Sequence, residues 1–170
     1  MYAYCLFCET QRCKTVASLL EKRDSVVRAF SPQIINRQRK KGKNLDHSYD
    51  LLPGYVFFYV NEKLTDFSLF HGISGIVRRI GNSEDGYALV GGDFDFAMNL
   101  LEKNGVVGHV TVFKNGDTVV LADSLFNGCQ GKITQIDLRK QRARVDYQFS
   151  GMDCFTWVAF DMLSKAPEEK

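Results

Sequence analysis

Long hydrophobic runs are scarce in this chain of 170 residues. The longest apolar run without a charge is LLPGYVFFYV, residues 51–60, which is too short to cross a bilayer as a helix. The first residues, MYAYCLF, contain no basic side chain and so lack the positively charged leader of a signal peptide. We therefore expect a cytoplasmic protein without a membrane partner.

An excess of charge of one sign is also missing. The net charge at pH 7 is +2, and the isoelectric point is near 8.2. Such a balance does not indicate a nucleic-acid-binding protein by itself, so only local clusters of cations can support that function. The composition, 45% hydrophobic and 25% charged, is typical of a globular protein with one large domain or two small ones.

The usual signatures of catalysis are absent. The three histidines, His47, His71 and His109, lie far apart, and none belongs to a recognisable catalytic pattern of acid and nucleophile. The sequence contains no GxSxG, no HExxH and no phosphate-binding glycine loop. We interpret the histidines as surface or linker residues, and we expect neither enzymatic activity nor a cofactor.

Five cysteines are present, and Cys5 and Cys8 have the CxxC spacing that can indicate a zinc site or a redox pair. In a strand, however, positions 5 and 8 project to opposite faces, whereas the ligands of one metal must converge. The sequence therefore predicts free thiols in a reducing compartment and no metal site.

The first 104 residues have the pattern of a unit that contains both helices and strands. Apolar periodicity predicts helices at residues 11–23, with Thr10 as N-cap, and at residues 93–104. Extended segments are predicted at residues 2–8, 25–36, 54–60 and 76–80, with a short helix near 63–70. Both faces of LLPGYVFFYV are apolar, so the core of the domain must cover one face, and more core or a partner must cover the other.

The remaining sequence is rich in strand-forming residues. Residues 105–113 contain glycine and β-branched residues without a helical period, which favours a linker between domains. The segments DTVVLAD, GKITQIDL, RARVDYQF and MDCFTWVAF then follow, separated by turn residues. We predict a small antiparallel β-barrel at residues 114–165, which closes its own edges, and a flexible tail at residues 166–170.

Two local clusters of cations are candidates for nucleic-acid binding. The first is a predicted exposed loop or hairpin tip, whose charges can neutralise phosphates, and it comprises Arg37, Arg39, Lys40, Lys41 and Lys43. The second crosses a predicted barrel turn and comprises Lys132, Arg139, Lys140, Arg142 and Arg144. A basic turn can hold RNA or can simply keep a hairpin soluble, and both interpretations stay open. We interpret Trp157 as barrel packing rather than as a stacking surface for a base.

The order of these motifs resembles the NusG family over nearly the whole chain. A strand and helix precede the basic hairpin, LLPGYVFF and GIVRRIG, and a linker leads to FKNGDTVVLADSLFNGCQGKITQIDLRKQRARV. PGYVF is characteristic of the N-terminal (NGN) domain of that family, and residues 116–131 are characteristic of its KOW domain. The resemblance implies an α+β protein. Its NGN domain, residues 1–104, would be an α/β sandwich with an antiparallel four-stranded sheet flanked by helices, and its KOW domain an SH3-like five-stranded barrel.

The same resemblance implies a transcription elongation factor that binds the clamp helices of the bacterial RNA polymerase β′ subunit. Family members make this contact with a hydrophobic patch around the PGY turn, which corresponds to Tyr4, Leu52, Pro53, Gly54 and Tyr55. The aromatic residues common in the family are replaced by Ala3 and Leu52, so the resemblance implies a weaker or differently shaped contact. A protein that docks on polymerase has reason to keep Leu52 and Tyr55 partly exposed.

Within the family, LFCET followed by a helix and the basic hairpin DLRKQRARV make the chain most similar to LoaP-type antiterminators, which suppress pausing and termination on chosen operons. Their KOW domain contacts structured nascent RNA, which makes the second cation cluster the RNA-contact candidate. We expect a monomer, with upstream DNA as a further candidate partner.

Three alternatives to an operon-specific antiterminator stay open. A general NusG factor recruits Rho or ribosomal protein S10 through hydrophobic residues, and Phe149 is the nearest equivalent here. A free-standing RNA-binding KOW protein makes no polymerase contact. An RfaH-like protein hides its polymerase site under a KOW domain refolded as two helices, which strand-forming residues such as Ile133, Ile136 and Val145 disfavour.

Overall fold

The computed structural model describes residues 1–115, 118–121, 124–126 and 128–163, which contain two helices and twelve strands. The helices are α1 (Cys13–Glu21) and α2 (Gly91–Glu102), and short 3-10 turns lie at Thr10–Arg12, Ser68–Phe70 and Ser124–Phe126. The strands are β1 (Tyr2–Cys8), β2 (Val26–Phe30), β3 (Gln33–Lys40), β4 (Lys43–Asp50), β5 (Tyr55–Val60), β6 (Ile76–Ile80), β7 (Val106–Val107), β8 (Val110–Asn115), β9 (Thr118–Leu121), β10 (Lys132–Asp137), β11 (Arg142–Phe149) and β12 (Met152–Leu163). The predicted tail, residues 166–170, lies outside the described residues.

The first unit is built on an antiparallel four-stranded sheet in the order β2-β5-β1-β6. All six residues of the central strand β5 are buried, so both of its faces are covered as its sequence predicts. On one face, Val56, Phe58 and Val60 pack in a cluster with Val16 and Leu20, which share one face of α1. The predicted sandwich with a four-stranded sheet is confirmed.

The helix boundaries differ from the prediction in three places. Thr10 lies inside a 3-10 turn rather than at an N-cap, and α1 begins at Cys13. The helix expected near 63–70 is reduced to the turn Ser68–Phe70. The side chain of Asp66 accepts a hydrogen bond from the backbone N–H of Ser68 at 2.8 Å, and this local bond competes with helix formation. The helix α2 begins two residues before its predicted start.

The basic stretch predicted as a loop or hairpin tip forms a long β-hairpin. Strands β3 and β4 pair from Gln33 opposite Asp50 to Lys40 opposite Lys43. The two tip residues, Lys41 and Gly42, both have positive φ, 49° and 78°, which is the backbone of a two-residue type I′ turn. Strand β7 pairs in parallel with the base of β3 and completes a three-stranded sheet.

The second unit is a five-stranded sheet in the order β10-β11-β12-β8-β9, whose edge strands β9 and β10 lie close together. The predicted five-stranded barrel is confirmed, although one of its pairs, β8 with β12, is parallel rather than antiparallel. The segment 105–113, expected to be a linker, contains β7 and the start of β8. Val107, Val110 and Val112 are buried in the hydrophobic core, so these residues belong to the packed structure.

One hydrophobic cluster continues from the first unit into the second. From the first unit it includes Phe57 and Tyr59 of β5 and Phe96 and Leu100 of α2. From the barrel it includes Leu125, Phe126, Val145, Tyr147 and Phe149. The second face of β5 is therefore covered by α2 and by the barrel of the same chain.

Candidate functional site

The Pro-Gly turn before β5 is tied to the end of β1. The backbone N–H of Cys8 donates a hydrogen bond to the carbonyl oxygen of Gly54 at 2.7 Å. Gly54 has φ of +88°, and a β-carbon there would lie 2.7 Å from the Phe7 ring, so the position requires glycine. Within the turn, Pro53 is exposed, whereas Leu52 and Gly54 are buried.

One of the residues expected to meet polymerase, Tyr55, packs instead against the barrel. The ring of Tyr55 lies edge-on to that of Phe149 with centroids 6.0 Å apart, and its hydroxyl contacts the sulfur of Met152 at 3.7 Å. Leu52 is 5% exposed and Tyr55 is 9% exposed. The expectation that both residues stay partly exposed is therefore wrong for this arrangement, because the barrel covers the end of β5.

Phe149 lies at the centre of this interface. Its ring centroid is 5.4 Å from that of Phe57 and 5.6 Å from that of Phe96, and the side chain is 0% exposed. The sequence identified Phe149 as the nearest equivalent of a partner-binding residue, but here it binds the chain's own first unit. We call the face formed by Tyr55, Phe57 and Phe96 the aromatic face.

Tyr4 lies on the other side of the sheet from Tyr55. Its ring stacks on Phe58 with centroids 5.2 Å apart, and its hydroxyl oxygen accepts a hydrogen bond from the backbone N–H of Leu64 at 3.0 Å. Tyr4 and Phe58 are directly paired across β1 and β5, so their side chains share the α1 face. The structure therefore does not bring Tyr4 together with Leu52 and Tyr55.

The N-terminus of α2 fits closely against a barrel turn. A β-carbon on Gly92 would overlap the carbonyl oxygen of Gly128, so the two backbones touch at this point. The Asp93 carboxylate accepts a hydrogen bond from the backbone N–H of Ser150 at 2.9 Å. These contacts fix how the barrel sits on the aromatic face.

A polar network centred on Arg37 joins the hairpin to the barrel. The guanidinium donates to the Gln141 side-chain oxygen at 2.6 Å, and it lies 3.4 Å from Asp46 and 3.7 Å from Asp161. The His109 ring lies between these two carboxylates, at 3.0 Å and 3.2 Å. The Arg37 side chain is only 14% exposed, so the structure separates it from the other cations of its stretch.

The remaining described cations of the hairpin are at its tip. Lys40, Lys41 and Lys43 are exposed to solvent, and the side chain of Arg39 lies outside the described residues. The tip extends beyond the Arg37 network because β3 and β4 continue for three further pairs. This tip can present several positive charges to a phosphate backbone.

The second cation cluster lies on the outer face of β10, β11 and β12. Arg142 lies over the Trp157 ring at 4.5 Å, and Arg144 lies over the Phe155 ring at 4.1 Å. Arg144 also pairs with Asp146 at 2.7 Å. Lys132, Arg139 and Lys140 are exposed around this face.

Phe155 is a residue of this face that the sequence reasoning missed. It is 58% exposed, although it lies within the largely apolar segment MDCFTWVAF. Its exposure could have been predicted from strand alternation, because residues 153, 155 and 157 project from the same face of a strand. Asp153 indicates that this face is turned toward solvent. Strand register then places Phe155 opposite Asp146 and Trp157 opposite Arg144.

Comparison with known proteins agrees with this architecture. The family model described as "NusG: Transcription termination factor nusG" matches residues 2–94, which is more than half of the chain. The chain belongs to the NusG family. It is 26% identical over 127 residues to the transcription termination/antitermination protein NusG of Rickettsia typhi and to that of Rickettsia conorii. Each alignment covers 74% of this chain and 66% of the relative, so the chain spans just under two thirds of these relatives' length.

The thiols of this NusG family member are free and largely buried. Cys5 packs on the α2 face of the sheet and Cys8 on the α1 face, so the predicted divergence of the CxxC pair is confirmed. Burial raises the pKa of Cys8 to about 12. Among the described residues, no cluster of three or more histidine, cysteine or acidic side chains could hold a metal ion. Neither described helix is long and apolar enough to span a membrane.

Proposed function

We propose that this NusG family member is a cytoplasmic, non-enzymatic elongation and antitermination factor. It docks on the clamp helices of RNA polymerase through the aromatic face and the turn at residues 52–55. Its barrel holds structured nascent RNA on the outer cation cluster. The observation that carries the proposal is the aromatic face itself, since large aromatic side chains are the residues that most often anchor protein interfaces.

Docking on polymerase requires the barrel to leave this face, because Phe149 and Met152 occupy it. The free protein therefore exchanges between a covered and an uncovered arrangement, and polymerase binds the uncovered one. Once bound, the factor bridges the clamp and the opposite side of the cleft. This bridge favours the processive state of the polymerase and reduces pausing and termination.

The two nucleic-acid contacts do not depend on this exchange. Arg142 and Arg144 project from the outer face of the barrel. The side chain of Phe149 projects from the opposite face of β11, because side chains alternate along a strand. The hairpin tip is equally exposed, and its lysines are the candidates for a contact with upstream DNA. RNA can therefore be held in both the covered and the uncovered arrangement.

The Gly92→Ala substitution tests the docking step. A β-carbon at this position overlaps a backbone oxygen of the barrel, whereas alanine is favourable within α2, so the covered arrangement is destabilised without harm to the helix. We expect at least fivefold tighter binding to the RNA polymerase of the source organism, measured by biolayer interferometry, which corresponds to about 1 kcal/mol.

Gly108→Ala is the matched control, because a β-carbon there meets nothing within 4 Å and the φ of Gly108 is not positive. In the Gly92→Ala background, a further Tyr55→Ala substitution should remove the gain by deleting an interface anchor. Polymerase binding that is undetectable in all of these variants would refute docking and would favour a free-standing RNA-binding protein.

A general elongation factor is the second candidate function, and the position of Phe149 supports it. When the barrel leaves the aromatic face, Phe149 becomes available to a protein such as Rho or ribosomal protein S10. Polymerase-associated occupancy across the genome separates the two functions. Enrichment on one or a few long operons supports the specialised factor, and uniform occupancy supports the general factor.

A further inference from the structure

The outer face of the barrel combines cations with one exposed aromatic ring, Phe155, and one half-buried ring, Trp157, in a regular arrangement. Along β12, Phe155 and Trp157 are two residues apart and project from the same face, about 7 Å from one another. Along β11, Arg144 and Arg142 each lie over one face of these rings, at 4.1 Å and 4.5 Å. Each ring therefore has an arginine partner, and the arginine–ring pair occurs twice along the strands.

This face keeps aromatic surface in contact with water. Phe155 remains 58% exposed despite its contact with Arg144, although a phenylalanine gains stability from burial. The Nε atom of Arg142 is buried without a hydrogen-bond partner among the described residues, and it lies 3.6 Å from the carboxylate of Asp137. The face therefore offers the ring surface of Phe155 to a ligand, beside cations.

A groove of about 430 Å³ is lined in part by Phe155. Its lining includes Lys132, Thr134, Asp146, Gln148 and Asp153. This volume is within the range of small-ligand pockets, and its side chains can donate to and accept from the edge of a base or a ribose hydroxyl. Among the described residues of this face, the five cations outnumber the carboxylates of Asp137, Asp146 and Asp153. These cations are Lys132, Arg139, Lys140, Arg142 and Arg144.

We propose that Phe155 and Trp157 stack two unpaired bases of RNA, while Arg142, Arg144 and Lys132 hold the adjoining phosphates. This inference rests on the RNA contact proposed above and specifies the part of the RNA that is bound. Bases within a duplex are stacked on their neighbours and cannot lie on a flat protein ring, whereas bases in loops, bulges and single strands can. The barrel therefore recognises an unpaired segment of the nascent transcript.

Fluorescence polarisation with the full chain tests this assignment. The probes are a mixed-sequence single-stranded RNA 12-mer, a blunt RNA duplex of the same length and a single-stranded DNA of the same sequence. Phe155→Leu should weaken binding of the single-stranded RNA at least about fivefold, because stacking of one base is lost. Phe155→Tyr should bind as the wild type, and Lys132→Gln should reduce the slope of log affinity against log salt by about 1.

The only tryptophan of the chain gives a second readout that needs no variant. Stacking of a base on Trp157 should quench its fluorescence upon addition of the single-stranded RNA. Absence of quenching, equal binding of the duplex, or wild-type affinity of Phe155→Leu would each overturn base stacking but leave RNA binding in place. Equal affinity for the DNA would overturn the preference for RNA. If neither RNA binds, the proposed RNA contact itself fails.

Discussion

At the scale of single residues, burial controls the chemistry of the thiols. Burial raises the pKa of Cys8 and of Cys129 to about 12, from the ordinary value of 9.0. Both thiols are therefore neutral and poorly reactive near neutral pH, since the thiolate is the reactive form. Each also makes the stability of the folded chain depend on pH in the alkaline range.

The sign of this dependence leads to a prediction for Cys8→Ala. Below about pH 9 the thiol is protonated in both the folded and the unfolded chain, so its contribution is fully present. As the pH rises toward 12, the unfolded chain loses a proton that the folded chain keeps, and the wild type loses up to about 1.4 kcal/mol per pH unit relative to the variant. Urea unfolding of both proteins at pH 7.5 and pH 10.5 measures this difference, and parallel pH profiles would contradict the prediction.

At the scale of elements, the β3–β4 hairpin has two parts with different roles. Its base carries Arg37, which holds the barrel through Gln141 and Asp161, and its tip carries exposed lysines. The sequence placed all of these cations in one exposed cluster. Charge pattern alone could not separate them, because the two barrel partners of Arg37, Gln141 and Asp161, lie more than a hundred residues away in the chain.

Arg37→Ala should therefore loosen the barrel. Removal of the guanidinium leaves Asp46 and Asp161 without this partner. We expect this to destabilise the covered arrangement by about 1 kcal/mol relative to the uncovered one, because both carboxylates are largely solvated. We expect roughly fivefold faster amide hydrogen exchange in β11 around Phe149. Lys41→Ala, which removes an exposed charge at the tip, should exchange like the wild type, and equal rates for both variants would refute a role of Arg37 in holding the barrel.

Other elements were predictable to different degrees. Local pattern was enough to predict the core strands, since VVRAF, YVFFYV and RARVDYQF each form a strand. Both faces of β5 are apolar, and the prediction that both are buried is confirmed. The parallel pairing of β8 with β12 and the structure of residues 105–113 depend on partners distant in sequence. For the same reason, periodicity showed that the second face of β5 must be covered but could not identify the barrel as its cover.

At the scale of the whole molecule, the continuous hydrophobic cluster couples the two units. Residues from β5, α2 and the barrel bury one another, so neither unit can unfold without exposing aromatic side chains of the other. We expect the wild type to unfold in one cooperative transition by differential scanning calorimetry. Gly92→Ala should split this transition into two, Gly108→Ala should keep one, and two transitions in the wild type would contradict the coupling.

The brevity of the connection between the units limits how far they can separate. Only Gly108 and His109 lie between β7 and β8, so the barrel cannot move far while β7 remains paired with β3. If β7 detaches, residues 103–109 become a tether of at most about 25 Å. A barrel on so short a tether stays at high local concentration beside any surface that the first unit binds. Any RNA that the barrel holds would therefore be kept within a few nanometres of the site where the first unit is anchored.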